Sequence, residues 1–153
     1  MTEPQFREVP LRQEGNSTAL LQAVRSLTAT VECVFVDGDA DHPLAAAMAP
    51  HRPVRTEGVG PRPGYHRGDP GAVLLRCAYD REIFRTITAL GGLFEYVEGP
   101  GGDRVLFTEL GNVDLSLYDV TGHLILYTVT HEGLVFVAEA VAAQVSERMT
   151  KGP

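Results

Sequence analysis

The segment 93–137 constrains the fold more than any other, because short apolar runs in it are separated by turn-forming residues. Within 113–118, valine and leucine alternate with polar residues or tyrosine, the period-two pattern of a strand with one buried face. The run 123–129 is apolar on both faces, as is typical of an inner strand covered on both sides. Because 119–122 (Asp-Val-Thr-Gly) has the composition of a tight turn, we expect 113–118 and 123–129 to be adjacent antiparallel strands.

A second hairpin is predicted just before this pair. The stretch 99–103, which is rich in glycine and proline, lies between two further strand-like runs, 93–98 and 104–109. These two runs and the pair that follows them predict an antiparallel meander of four strands.

The remainder of the chain alternates between helical and strand-like patterns. The predicted elements are a helix over 16–28, a strand over 31–36, a short helix over 43–49, a strand over 72–79, a helix over 81–90 capped by Asp80, and a closing helix with its core at 138–149. The run 134–137 fits either a strand or the start of the closing helix. The predicted fold class is α+β: an antiparallel β-meander, with about five to six strands in all, and helices packed on the sheet as an α/β sandwich.

A single domain is predicted over 16–153, behind a flexible N-terminal tail over 1–15. The tail has no hydrophobic period and is rich in polar residues. Within the domain, ten of the 22 residues of 50–71 are proline or glycine, which predicts a long loop without a regular element. A loop of this length in a compact domain is usually functional or disordered.

The composition favours a cytoplasmic protein. No apolar run reaches 18 residues, and the N-terminal sequence lacks the basic and apolar regions of a signal peptide. Cys33 and Cys77 lie in strand-like apolar runs, where free cysteine is usually a small buried hydrophobe. Twelve of the thirteen basic residues are arginine, a bias that we attribute to a GC-rich, and hence bacterial, genome.

The net charge of −7 is unevenly distributed along the chain. Residues 51–85 carry seven basic and four acidic side chains, whereas 1–50 and 86–153 sum to −4 and −6. Nucleic-acid binding over the whole surface is therefore not expected, because affinity for phosphate needs a basic face. A protein partner with a basic surface matches most of the chain better.

The acidic segment Asp37-x-Asp39-x-Asp41 follows a predicted strand. Carboxylates at a strand end can gather Mg²⁺, with one of them serving as the nucleophile in phosphoryl transfer. The pattern is similar to the first motif of haloacid-dehalogenase-like phosphatases, and this resemblance implies a metal-dependent phosphate hydrolase in which Asp37, Asp39 and Asp41 are catalytic candidates. Those enzymes also need a parallel sheet and a later lysine, whereas the only lysine here is Lys151. The alternative is an acidic turn that caps a helix.

The loop 50–71 contains the candidate partner-binding residues. Arginine binds carboxylate and phosphate groups through paired hydrogen bonds, and tyrosine offers a rigid contact surface. The candidates are Arg52, Arg55, Arg62, Tyr65, His66 and Arg67. Because the rest of the molecule is acidic, we expect the four arginines to meet an acidic surface on a partner or on a second copy of the chain. The alternative is a mobile, solvated loop.

No other motif indicates a reaction or a bound group. The five histidines lack the close spacing of a zinc site, neither cysteine has a histidine nearby in sequence, and no GxSxG motif occurs. We therefore expect no metal and no cofactor.

The leading functional hypothesis is a non-enzymatic protein-binding domain, most concretely an acidic immunity or antitoxin-like protein. The order of elements, with an early helix, a strand, a middle helix, a meander and a closing helix, also resembles roadblock-type dimerisation domains. That resemblance implies a dimeric regulatory scaffold. The phosphate hydrolase is the enzymatic alternative.

Overall fold

The computed structural model describes residues 5–9, 16–40, 42–65, 67–89, 96–98, 102, 104–106 and 113–151. Within these ranges the chain forms nine β-strands and four α-helices. In chain order they are β1 (Phe6–Glu8), α1 (Asn16–Val24), β2 (Thr30–Phe35), α2 (Pro43–Met48), β3 (Val54–Val59), β4 (Asp69–Ala78), α3 (Arg81–Ala89), β5 (Tyr96–Glu98), β6 (Arg104–Leu106), β7 (Val113–Tyr118), β8 (Leu124–Val129), β9 (Leu134–Ala138) and α4 (Glu139–Lys151).

Seven of these strands form one sheet in the order β1-β9-β8-β7-β2-β4-β3. Every neighbouring pair in this sheet is antiparallel. The other two strands, β5 and β6, form a separate antiparallel hairpin. The α+β class with an antiparallel sheet is therefore confirmed, although the strands outnumber the five to six that were expected.

The predicted hairpin after β7 is confirmed, since β7 and β8 are adjacent and antiparallel. One carboxylate oxygen of Asp119 accepts hydrogen bonds from the backbone N–H groups of Thr121 and His123, both at 2.9 Å. Gly122 has a φ of +88°, a conformation that costs glycine little. The side chain of aspartate and the freedom of glycine thus build the turn that reverses the chain.

The predicted four-strand meander is wrong in its first two strands. β5 and β6 form the separate hairpin, and the meander consists of β7, β8 and β9. β9 begins directly after Gly133, whose φ of +69° lets the chain turn back along β8. The ambiguous run 134–137 therefore belongs to a strand, and α4 begins at Glu139. The outer parts of the predicted strands 93–98 and 104–109 lie outside the described residues.

Two further predictions are wrong at the edges of the sheet. Residues 6–8 of the predicted flexible tail form β1, which pairs with β9. Part of the predicted loop 50–71 forms β3, and β4 begins as early as Asp69. Proline and glycine do not prevent this, because Pro53 precedes β3 and Gly58 occupies a bulge in an edge strand.

All four helices pack on the same side of the seven-stranded sheet. The buried core joins apolar side chains of α1, α2, α3 and α4 with those on one side of the central strands. These sheet residues point the same way because they alternate along each strand and lie opposite one another between strands. They include Val31, Cys33, Phe35, Val73, Leu75, Cys77, Val113, Leu115 and Leu117. We call this side the helix face and the other side the open face.

The helices are short, and the longest, α4, has 13 residues. No helix in the described ranges is both long and apolar enough to cross a membrane. Asp80 caps α3 as predicted, because its carboxylate accepts a hydrogen bond from the backbone N–H of Ile83 at 2.9 Å.

Both cysteines are free and buried, as predicted. Burial raises the pKa of the Cys33 thiol and of the Cys77 thiol. Both side chains belong to the buried core as small apolar residues.

Substitution of Ile125, a residue of the inner strand β8, tests whether this strand is buried. It is 3% exposed, so Ile125→Asp would bury an unpaired carboxylate at a cost of several kcal/mol. We expect the variant to lose the cooperative thermal transition in circular dichroism. Val120→Asp is the control, because Val120 is 87% exposed in the β7–β8 turn, and it should melt like the wild type. A wild-type melting temperature for Ile125→Asp would contradict the burial of β8.

Candidate functional site

The open face carries one continuous row of side chains that crosses all seven strands. Residues directly opposite each other in an antiparallel ladder point to the same side of a sheet. From one edge to the other, the row consists of Glu8, Phe136, Tyr127, Ser116, Glu32, Arg76 and Val54. We call it the open row. With neighbouring strands about 4.8 Å apart, it spans roughly 29 Å.

Aromatic side chains occupy the half of the open row nearest β1. The rings of Tyr127 and Phe136 are stacked with centroids 5.0 Å apart, and Phe6 meets Tyr127 edge-on at 5.1 Å. All three residues are partly exposed. Aromatic pairs contribute about 0.5–1.5 kcal/mol beyond the burial of their area. The three rings therefore hold one another in defined positions at the surface.

Charged side chains occupy the other half of the open row. Arg76 donates a hydrogen bond to the Glu32 carboxylate at 3.0 Å, and its guanidinium lies 5.7 Å from the ring centroid of Tyr118. Burial, and then the neighbouring Glu32 carboxylate, raise the pKa of Tyr118 to about 12, so its hydroxyl is protonated at neutral pH. Val54, at the β3 edge, is 66% exposed. The open row thus presents rings, paired charges and an apolar end.

A turn over 61–65, which we call the covering turn, lies on the open face beside the open row. Arg62 and Tyr65 close it with two backbone hydrogen bonds of 3.1 and 2.8 Å. Gly64 lies directly against Val129, because a Cβ at position 64 would stand 2.5 Å from a methyl carbon of Val129. The φ of Gly64 is also +84°, so both space and backbone conformation require glycine here.

Asp114 of β7 anchors the covering turn to the sheet. Its side chain is 3% exposed, and it accepts a hydrogen bond from the hydroxyl of Tyr65 at 2.5 Å. The Nη2 atom of Arg62 donates to it at 3.4 Å, and the backbone N–H of Thr130 donates at 2.7 Å. A buried carboxylate is costly unless it is paired and hydrogen-bonded, and these donors meet both needs.

The guanidinium of Arg62 is held between Asp114 and the ring of Tyr65. Its Cζ atom lies 3.8 Å from the ring centroid, and its side chain is 12% exposed. The buried Nε and Nη1 atoms have no hydrogen-bond partner within the described ranges. A cation–π interaction with the ring of Tyr65 therefore offsets part of the cost of removing this guanidinium from water. Burial, and then the hydrogen bond to Asp114, raise the pKa of the Tyr65 hydroxyl, which therefore remains a donor.

Arg55, another predicted partner-binding residue, also meets carboxylates of its own chain. It donates to Asp39 from Nε and Nη2 at 3.0 and 3.2 Å, and to Glu57 from Nη1 at 2.7 Å. The hydrogen bonds from Arg55 lower the pKa of the Asp39 carboxyl. This cluster lies at the surface on the helix face of the sheet, since Arg55 is opposite Leu75.

The four arginines of 50–71, which were expected to contact a second molecule, lie in different environments, and Arg62 is turned into the fold. Its guanidinium is nearly buried and is engaged by Asp114. Arg52 and Arg67 are exposed, and His66 lies outside the described residues. The described members of the predicted binding set are thus divided between the covering turn, the β3 edge and the solvent.

The acidic segment at 37–41 is organised around Arg55 and a histidine cap. Asp39 bonds Arg55, Asp37 is exposed, and Asp41 lies outside the described residues. The cap of α2 is His42, whose Nδ1 accepts a hydrogen bond from the backbone N–H of Leu44 at 3.1 Å, so a histidine side chain makes this cap hydrogen bond. Within the described ranges, no three His, Cys, Asp or Glu side chains lie close enough together to hold a metal ion.

Sequence reasoning missed both Asp114 and the open row. The alternation in β7 indicated that Asp114, Ser116 and Tyr118 share one face, which was the available signal. The contact of Asp114 with Tyr65 joins residues 49 positions apart, so no local pattern could reveal it. The row depends on the order of the seven strands, which periodicity does not encode.

Comparison with known proteins identifies no relative of the chain. No family model matches it, and no curated protein or solved structure is significantly similar to it. Functional conclusions therefore rest on the geometry of the chain itself.

The Asp114 anchor is expected to contribute far more stability than the surface cluster around Arg55. Asp114→Ala leaves the Arg62 cation buried without its carboxylate, so it should lower the free energy of unfolding by about 3–5 kcal/mol. Asp39→Ala removes an exposed ion pair and should cost less than about 1 kcal/mol. Urea unfolding of both variants measures the difference. Equal losses would contradict the assignment of Asp114 as the anchor.

Proposed function

We propose that the chain is a protein-binding domain whose binding surface is the open face of the sheet. The observation that carries this proposal is the open row, which crosses every strand of the sheet while the helices occupy only the opposite side. Val34 and Val129 on the open face are buried and lie outside the main core cluster. The covering turn closes the open face at Val129, and within the described part of the chain the open row beside it is left to a partner.

The residue types of the open row favour a protein partner. Protein interfaces are enriched in aromatic residues and arginine, and they place rigid rings beside hydrogen-bonding groups. Tyr127 and Phe136 supply rings whose mutual stacking limits the entropy lost on binding. Arg76 and Glu32 supply directional polar contacts beside them.

The charge of the molecule supports a partner with a basic surface. The chain carries a net charge of −7, and the open row contains two carboxylates, Glu8 and Glu32, for one guanidinium. Electrostatic complementarity raises the association rate and discriminates against acidic competitors. An immunity-like protein that neutralises a basic toxin is the most concrete form of this proposal.

Site-specific photocrosslinking in the cells that naturally produce the chain tests the proposal. A photoreactive phenylalanine analogue replaces Ser116, at the centre of the open row, and Val120 in the exposed β7–β8 turn is the matched control position. We expect a discrete protein adduct from position 116 and none from position 120. Adding Phe136→Arg, which removes the ring stack, should reduce the adduct.

An absence of any adduct at position 116, or equal adducts from both positions, would contradict binding by the open face. The mass of the adduct identifies the class of partner. A larger protein with a basic isoelectric point would support the immunity-like form, and an acidic partner would overturn that form while leaving the binding surface in place.

A further inference from the structure

The outer edge of β3 is the longest free strand edge of the sheet. β3 ends the strand order, and within the described ranges no strand pairs with its outer side. Residues 54–57 are exposed. At the opposite edge, β1 has only three residues. An edge strand leaves unpaired backbone N–H and C=O groups that can pair with another chain.

Residues of opposite charge flank Thr56 in β3. They are Arg55 and Glu57, and both point to the helix face because they lie opposite Leu75 and Val73 of β4. Two copies of β3 that pair antiparallel about Thr56 place each Arg55 opposite the Glu57 of the other copy. Opposite charges directly across an antiparallel pair are stabilising, and like charges are destabilising.

Among two-fold axes placed at residues 55, 56 and 57, the axis at Thr56 alone avoids like charges across the pair. A two-fold axis perpendicular to the sheet keeps each face on its own side, so it must pass through a residue pair and not between two residues. An axis at position 55 brings two arginines together, and an axis at position 57 brings two glutamates together. The axis at Thr56 alone pairs opposite charges, and it places the exposed Val54 across from Gly58, which has no side chain to obstruct it.

Arg55 can serve both its own chain and a second one. A guanidinium has five N–H donors, and the hydrogen bonds to Asp39 and Glu57 use three of them. Glu57 is highly exposed, with 76% of its side chain accessible, so its carboxylate can turn towards the other copy without being released from a buried site.

We propose that the chain forms a homodimer by antiparallel pairing of the two β3 edges about Thr56. The two seven-stranded sheets then become one continuous sheet. Because the axis is perpendicular to the sheet, both open faces lie on the same side. Val54 enters the contact, and the rest of each open row, from Glu8 to Arg76, stays accessible. The contact is isologous, so it consumes both β3 edges and closes at two copies without propagating into a fibre.

The size of this contact predicts a weak, salt-sensitive dimer. A ladder of about five residues on each side buries far less than the roughly 800 Å² per partner of a stable interface. The exposed Arg55–Glu57 attraction is screened over about 8 Å at physiological ionic strength. We therefore expect dissociation on dilution and a smaller dimer fraction in high salt.

Sedimentation velocity with two charge-reversal variants tests the register. Arg55→Glu and Glu57→Arg each place like charges across the pair, so each variant alone should weaken dimerisation at least tenfold. An equimolar mixture of the two restores opposite charges at both positions and should form the heterodimer. Glu82→Arg makes the same charge change on the exposed surface of α3 and should dimerise like the wild type. Circular dichroism verifies that every variant is folded.

Oxidative crosslinking provides a second, independent test of the same register. Residues opposite each other in an antiparallel pair have Cα atoms about 4.5–5.5 Å apart, within the range that a disulfide can bridge. Thr56→Cys should give a covalent dimer under mild oxidation, whereas Thr121→Cys, in the exposed β7–β8 turn, should not. The native Cys33 and Cys77 are buried and should not compete.

A chain that is monomeric at all concentrations would overturn the proposal. So would a dimer that Glu57→Arg leaves intact, or equal crosslinking from positions 56 and 121. None of these results bears on the open row, which photocrosslinking at position 116 tests separately.

Discussion

The packing of all four helices on one face of the seven-stranded sheet is the constraint on which the rest of the structure depends. Strand β2 shows its consequence most clearly, because Val31, Cys33 and Phe35 enter the core while Glu32 points to the open face. An antiparallel sheet tolerates this arrangement when its outward positions are polar. Val34 breaks that pattern, since it is apolar, points to the open face and is only 2% exposed.

The covering turn lies over the same side of the sheet and contacts Asp114, the residue opposite Val34 in the ladder between β2 and β7. It crosses from the β3–β4 edge to β7, two strands away from β4, and it is fixed there by Asp114. A buried carboxylate that is satisfied by Tyr65, Arg62 and the Thr130 amide gives the turn a defined position. The cost of burying the Asp114 carboxylate is offset by these three donors, and the cation of Arg62 is compensated by that carboxylate and by the ring of Tyr65. Among the described residues, the open row lies beside it as a partly exposed region of this face.

Local patterns predicted the elements well wherever the relevant contacts were close in sequence. The β7–β8 hairpin, the Asp80 cap and the buried cysteines all follow from a few neighbouring residues. The assignment of β3 failed because proline and glycine content was averaged over 50–71, although Val54 to Glu57 form a short ladder with β4.

Strand order could not be predicted from these patterns, and the candidate surface depends on it. Period-two alternation assigns Ser116 and Glu32 to an outward face, but it does not state that β7 is the neighbour of β2. The pairing of Asp114 with Tyr65 is equally non-local. For this reason the arginines of 50–71 were expected to face a partner, whereas Arg62 is instead part of the fold.

Hydroxyl-radical footprinting of the purified chain, read residue by residue by mass spectrometry, tests the one-sided architecture most directly. The account predicts rapid oxidation of Tyr127 and Phe136 on the open face and strong protection of Phe35, which is 0% exposed on the helix face. Protection of Tyr127 and Phe136 equal to that of Phe35, in a monomeric sample, would show that the open face is covered and would contradict the account.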